Sequence, residues 1–123
     1  MDIEICRAYC LQKRGATESF PFGSGVLVFK VQGKMFALMS LDEVPHRISL
    51  KCDPEKAVDL RLEYEGLIEG AYHMNKRHWN SLLYQSLPPV LVQALIDHSY
   101  NLVVQGLSRK QQQELNKNII SDA

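Results

Sequence analysis

The chain has 123 residues, 46% hydrophobic and 23% charged, with 14 basic side chains against 14 acidic ones. That length suits one ordinary domain with a core of its own, and that balance excludes wholesale disorder. A net charge of zero gives no global pull toward nucleic acid or a membrane surface. Residues 1–123 are read as one domain, with 108–123 as a polar C-terminal tail helix. No apolar run approaches the ~18–20 residues that a membrane span needs. Met1-Asp2-Ile3-Glu4 is acidic where a secretory signal is basic, so the expected location is the cytoplasm, with no membrane partner. Cys6, Cys10 and Cys52 are odd in number and hold no CxxC pair, which fits a reducing compartment. Cys6 and Cys10 share a helix face. With no second ligand pair nearby they read as small buried hydrophobes rather than half of a metal site.

The first predicted helix runs from about Ile3 to Lys13. Asp2 caps its free N–H groups, Lys13 and Arg14 suit its negative end, and Gly15 stops it. Ser19 to Gly25 is a turn-rich connection. Val26–Val31 and Lys34–Met39 are β-branched and aromatic strands, and Gln32-Gly33 makes a two-residue hairpin turn between them. With Val31 opposite Lys34, the expected register sets Phe29 against Phe36 and Leu27 against Leu38 on one face. Lys30 then meets Met35, and Val28 meets Ala37, on the other.

A third strand is expected over His46–Cys52, with Ile48 and Leu50 pointing inward and Arg47, Ser49 and Lys51 outward. Asp53-Pro54-Glu55 starts a helix, and Ala57, Leu60, Tyr64 and Leu67 form its apolar stripe. Leu67–Met74 and His78–Tyr84 read as two further strands. A long helix follows Ser86-Leu-Pro-Pro89 and reaches about Gln105. Its stripe is Leu91, Leu95 and Leu102, widened by Val92, Ile96 and Val103; His98 falls in the stripe as a boundary residue. Ser108 and Gln111 form a capping box for the tail helix. The resulting order, α-β-β-β-α-β-β-α plus a tail helix, is α+β.

No catalytic motif is present: no GxSxG elbow, HExxH or P-loop, and no GxGxxG opening a helix. Phe22-Gly-Ser-Gly25 precedes a strand, so it lacks the helix N-terminus that a phosphate cradle uses. His73 and His78, five apart, would face opposite sides of a strand, which argues against joint metal binding. The expectation is a protein that is not an enzyme and needs no cofactor or metal.

Charge is unevenly spread. Three stretches expected in the sheet carry no acid: Lys30 and Lys34 lie in one, Arg47 and Lys51 with His46 in the next, and Lys76 and Arg77 with His73 and His78 in the third. Residues 53–69 hold six acidic side chains against two basic ones. A basic sheet can neutralise phosphates, and Trp79 offers a ring for stacking an unpaired base. The competing account is that strands avoid Asp and Glu by propensity and that Trp79 is core.

Ala71-Tyr-His-Met-Asn-Lys-Arg-His-Trp-Asn80, with Pro21-Phe-Gly23, Gly33-Lys-Met-Phe-Ala37, Leu50-Lys-Cys52 and Ser99-Tyr-Asn-Leu-Val103, resembles the MmcQ/YjbR family over about residues 2–110. The resemblance implies a two-layer α-β(3)-α-β(2)-α fold, an antiparallel sheet with helices packed on one face, similar to CyaY (bacterial frataxin) and to secretion chaperones. It also implies a double-wing, DNA-binding role, with hairpins as wings. The motif positions Lys34, Lys51, Tyr72, His73, Asn75, Lys76, His78 and Trp79 carry over as candidate contacts. The leading expectation is therefore a DNA-binding accessory or regulatory protein that uses Lys30, Lys34, Arg47, Lys51, Lys76, Arg77, His78 and Trp79. One alternative is a protein-interaction or chaperone-like module docking a protein partner on a Met35-Ala37-Met39 row. Another is a small-ligand site at Tyr72, His73, Asn75 and Trp79.

Overall fold

The computed structural model describes the backbone of residues 1–122 and the side chains of residues 1–117. Helix α1, Ile3–Leu11, begins where Ile5 N–H donates to the Asp2 carboxylate at 2.8 Å. It ends two residues before the expected Lys13. A strand that the sequence did not announce follows: β1, Ala16–Ser19, pairs antiparallel with β2, Val26–Val31. Ala-Thr-Glu-Ser has no apolar alternation. The β2 ladder and a bond from Arg7 Nε to Glu18 at 2.8 Å hold it instead.

β2 turns into β3, Lys34–Ser40, through Gln32 (φ 49°) and Gly33 (φ 77°). Both lie in the left-handed region that a type I′ hairpin turn requires. After β4, Ile48–Lys51, helix α2 spans Pro54–Glu63, with the Asp53 carboxylate accepting from Lys56 N–H at 3.3 Å. Two short strands, β5 (Ile68–Gly70) and β6 (Trp79–Leu82), replace the longer ones expected, and the chain between them is a loop. A 3-10 turn, Tyr84–Ser86, leads to α3, Pro89–Gln105, and α4, Arg109–Asp122, closes the chain. The Ser108–Gln111 capping box forms in both directions.

The six strands make one antiparallel sheet in the order β1-β2-β3-β4-β6-β5. The expected register holds next to the turn, where Val31 faces Lys34 and Lys30 faces Met35. It then slips by one. Phe29 faces Ala37, Val28 faces Leu38 and Leu27 faces Met39, because Phe36 is the extra residue of a β-bulge. A bulge leaves two residues opposite one, so Phe36 and Ala37 both turn toward the helices. The Phe36 ring meets Phe29 at 6.3 Å and stands edge-on to Tyr100 at 5.4 Å.

Ser99 of α3 bonds to the backbone at this irregularity. Its hydroxyl, wholly buried, donates to the Phe36 carbonyl at 2.5 Å and accepts from Lys51 N–H at 2.9 Å. A side chain thus bridges the point where the β3–β4 ladder stops. The slip also corrects the proposed Met35-Ala37-Met39 docking row. Ala37 and Met39 are fully buried on the helix side, and only Met35 remains on the other.

The core lies between the sheet and α3, where Phe29, Phe36, Met39, Ile48, Leu50 and Leu82 are at most 2% exposed. On α3 the buried stripe is Val92, Leu95, Ile96, Ser99, Tyr100 and Val103. The expected stripe is therefore rotated: Leu91 and Leu102 are only partly buried. Cys6, Cys10 and Cys52 are buried free thiols. A hydrogen bond with Cys6, reinforced by burial, raises the Cys10 thiol pKa. Among the described residues no helix is long and apolar enough to cross a membrane.

Candidate functional site

Helix α3 contacts the central strands β2, β3 and β4 over their buried face, and the other face carries a concave cleft of about 440 Å³. Its floor crosses four strands: Val26 on β2, Met35, Leu38 and Ser40 on β3, Ser49 on β4 and Ser81 on β6. Strand alternation explains this set, since these residues follow the register rows Val26–Ser40, Val28–Leu38–Ser49–Ser81 and Lys30–Met35.

The walls come from the two long loops at opposite edges of the sheet. Phe22, 64% exposed, stands on the β1–β2 loop. Ala71, Tyr72, His73 and Met74 stand on the β5–β6 loop. Tyr72 is 68% exposed, and its ring lies 3.9 Å from that of His73, tilted by 40°. Glu43 and Arg47, both in the β3–β4 connection, supply the charged end. The Arg47 guanidinium sits 4.0 Å from Glu43 and 3.8 Å from Glu69, so it is already shared between two carboxylates.

The β5–β6 loop is held by its own turn chemistry. Asn75 accepts from Arg77 N–H through its side chain at 3.0 Å, and its carbonyl accepts from His78 N–H at 3.0 Å. Met74 N–H bonds back to Ala71 at 3.0 Å. Arg61 of α2 ties the loop down by donating through Nε to Asn80 at 2.8 Å and through Nη2 to the Lys76 carbonyl. The buried Asn80 in turn donates to the Ala57 carbonyl at 3.2 Å. Gly70 permits this close approach, because a Cβ there would stand 3.2 Å from the Lys76 Cβ.

The eight residues expected to meet DNA are not gathered into one patch. Lys30 and Lys51 lie on the cleft face of the sheet, on the strands either side of Met35, and Trp79 pairs across from Lys51. Lys34 is exposed beside the β2–β3 turn, whose tip is docked: Gln111 of α4 donates to the Gln32 carbonyl at 3.4 Å. Arg47 is held in the cleft by Glu43 and Glu69. Lys76 and Arg77 line a separate groove with Glu55 and Asp59 of α2. His78 is half-buried, and its carbonyl accepts from Cys52 N–H at 2.8 Å. Among the described residues, none of Lys30, Lys34, Lys51, Lys76 and Arg77 lies within ion-pair distance of a carboxylate.

Of the four residues expected around a ligand, Tyr72 and His73 line the cleft, whereas Asn75 builds the loop and Trp79 stands beside Lys51. His73 and His78 sit on loop turns, so the argument that they face opposite sides of a strand does not apply. Phe22, Glu43, Ser49 and Ser81 were not anticipated. An exposed aromatic in a Gly-rich turn was the available signal for Phe22, and outward alternation was the signal for Ser49. His98 is a boundary residue as expected. Its Nε2 accepts from Asp53 N–H at 3.1 Å, and burial lowers its pKa, aided by Lys56 and opposed by Asp53.

A family model described as YjbR matches residues 11–102. The Escherichia coli O157:H7 protein YbdF is 42% identical over 98 residues, 78% of this chain and 79% of that protein. YjbR of Escherichia coli K12 is 32% identical over 116 residues, covering 94% of this chain and 98% of that protein. A crystal structure of a Deinococcus radiodurans protein superposes with a TM-score of 0.85 at 35% identity, over 93% of this chain and 87% of that one. A Pseudomonas syringae protein of known structure gives a TM-score of 0.70 at 26% identity, over 83% and 98%. None of these descriptions states a ligand or an activity.

Proposed function

Because the chain belongs to the YjbR family, whose model covers both cleft-forming loops, we infer that it is a non-enzymatic binding domain that takes its ligand in this cleft. One observation carries the reading. Two exposed aromatic walls, Phe22 and Tyr72, come from loops at opposite sheet edges and enclose an apolar floor of about 440 Å³. Ligand sites are typically concave and mostly apolar, about 300–1,000 Å³ in volume, with a few placed polar groups. Exposed aromatics of this size otherwise lose by standing in water, since burial of such a side chain is worth about 1.5–3 kcal/mol.

The test is an amide NMR titration with a fragment set of small aromatic compounds. Perturbations grouped on residues 22, 35, 38, 49, 72 and 73 support the assignment. A set that shifts no cleft resonance at millimolar concentration overturns it.

A second reading, DNA binding through a double-wing surface, rests on Lys30, Lys51 and Trp79 sharing the cleft face, the two lysines with no carboxylate partner among the described residues, with Lys34 nearby. Phosphate contacts of this kind give affinity that falls steeply with salt. Fluorescence anisotropy of labelled duplex and single-stranded DNA from about 50 to 200 mM salt tests it. Binding at low salt that weakens in Lys30→Gln/Lys51→Gln supports this surface; no binding at low salt ends it.

A further inference from the structure

The cleft has features that a purely apolar pocket lacks. At one end a carboxylate (Glu43) and a guanidinium (Arg47) stand side by side, 4.0 Å apart. Ser49 and Ser81 pair across the β4–β6 ladder and bring two hydroxyl groups to its floor. Beyond Met35, on the same face of the sheet but outside the cleft lining, Lys30 of β2 and Lys51 of β4 have no carboxylate within ion-pair distance among the described residues. From these we propose that the cleft is a nucleotide site, with a flat amino-bearing heteroaromatic ring between Phe22 and Tyr72 and its phosphate on Lys30 and Lys51. The proposal rests on the cleft being the binding site.

Each part of such a ligand has a counterpart. Base rings stack on aromatic side chains, and every base has a π-face for this. A carboxylate beside a guanidinium offers acceptors to exocyclic amino and ring N–H groups, and donors to ring nitrogens and carbonyls. A hydrocarbon or plain benzenoid ring would leave Glu43 and Arg47 without gain. The lysines supply positive charge where the sugar-phosphate must leave the cleft. Met35 and Leu38 on the floor accept a flat apolar surface but make no hydrogen bond, so orientation comes from the polar end and from the floor serines Ser40, Ser49 and Ser81.

The experiment is an amide NMR titration of the full chain with adenosine and guanosine monophosphates, ribose 5-phosphate, indole, and short single-stranded oligonucleotides, repeated on Phe22→Ala/Tyr72→Ala and Lys30→Gln/Lys51→Gln. Both aromatic residues are exposed, so the first variant keeps the fold, as its unchanged spectrum outside the cleft will show. The expected result has three parts. Nucleotides bind at the cleft at least tenfold tighter than ribose 5-phosphate. The aromatic double variant loses about tenfold or more, the scale of a lost base stack. The lysine variant loses the salt dependence but keeps the ring-induced shifts.

Mononucleotide binding identifies a free nucleotide as the source. Binding only of oligonucleotides, sensitive to an abasic position, identifies a base carried on a strand. Indole shifting the cleft resonances while no nucleotide or oligonucleotide does overturns the nucleotide proposal and leaves the binding cleft standing. No shift with any compound overturns both. Nucleotide and ribose 5-phosphate binding equally, unaffected by Phe22→Ala/Tyr72→Ala, overturns the ring assignment.

Discussion

Replacing Ser99 by Ala tests whether one hydroxyl holds the β-bulge that decides the sheet's register. In the native chain the hydroxyl satisfies two backbone groups at once, the Phe36 carbonyl at 2.5 Å and Lys51 N–H at 2.9 Å. Removing it leaves a buried carbonyl unsatisfied at a cost of about 1–3 kcal/mol, and the partly buried N–H loses part of the same amount. The expected loss is about 2–3 kcal/mol in all, which is about 8–12 °C in Tm for a domain of this size. Chemical denaturation with fixed m-value and thermal unfolding measure it. Asn101→Ala, exposed on the same helix, serves as the control and should stay within about 0.5 kcal/mol. Hydrogen exchange adds a local readout, since protection of the Lys51 amide should fall more than that of its ladder neighbours. A loss below about 0.5 kcal/mol with unchanged Lys51 protection would mean that β3 and β4 simply close into a direct ladder bond. The bulge would then owe nothing to Ser99.

Arg61→Met should cost about 2 kcal/mol and speed hydrogen exchange of the Arg77 and His78 amides, because hydrogen bonds from a charged donor are worth about 1.5–3 kcal/mol. Unchanged exchange in the β5–β6 loop refutes that anchoring. Gly70→Ala should displace Lys76 and lower stability by about 1 kcal/mol, as small overpacking does, read by denaturation and by shifts of the Tyr72 and His73 amides. A silent spectrum there would show that the loop is not pinned. Tyr84→Phe should leave stability unchanged or raise it, since the buried hydroxyl has no hydrogen-bond partner among the described residues and burial pushes its pKa up to about 12. A loss above about 1 kcal/mol would reveal a bond to that oxygen. The lowered pKa of His98 gives a pH signature, because the folded state favours the neutral ring that accepts from Asp53 N–H. Its contribution is fully present above the unfolded value of about 6.5 and is lost as pH falls below it toward the folded value. His98→Gln should flatten the stability profile over that window; an unaltered slope refutes the linkage.

Local chemistry was legible wherever one residue dictates one conformation. Asp2 and Asp53 caps, the Gln32-Gly33 turn and the Ser108–Gln111 box appear as read, because each depends on contacts within four residues. The inward alternation of Ile48 and Leu50 also holds, since the strand period is a property of the backbone. The α+β class follows from these elements taken in order. Likewise the Ala71–Asn80 motif led to the right family, although it did not reveal how its residues divide their work.

What the tertiary structure alone decided is how separate segments share a surface. No local signal marks β1, because its ladder partner lies a loop away. The bulge at Phe36 is bridged by Ser99, 63 residues distant, and that one-residue slip moved Ala37 from the proposed docking row into the core. Charge counted along the chain placed Arg47, Lys51 and Lys76 in one basic sheet. In space Arg47 is shared by Glu43 and Glu69, and Lys76 turns to the α2 groove. The same folding set Phe22 and Tyr72, 50 residues apart, across one cleft. Covalent order fixes periodicity and caps, but a concave surface arises only where strands from distant segments lie side by side.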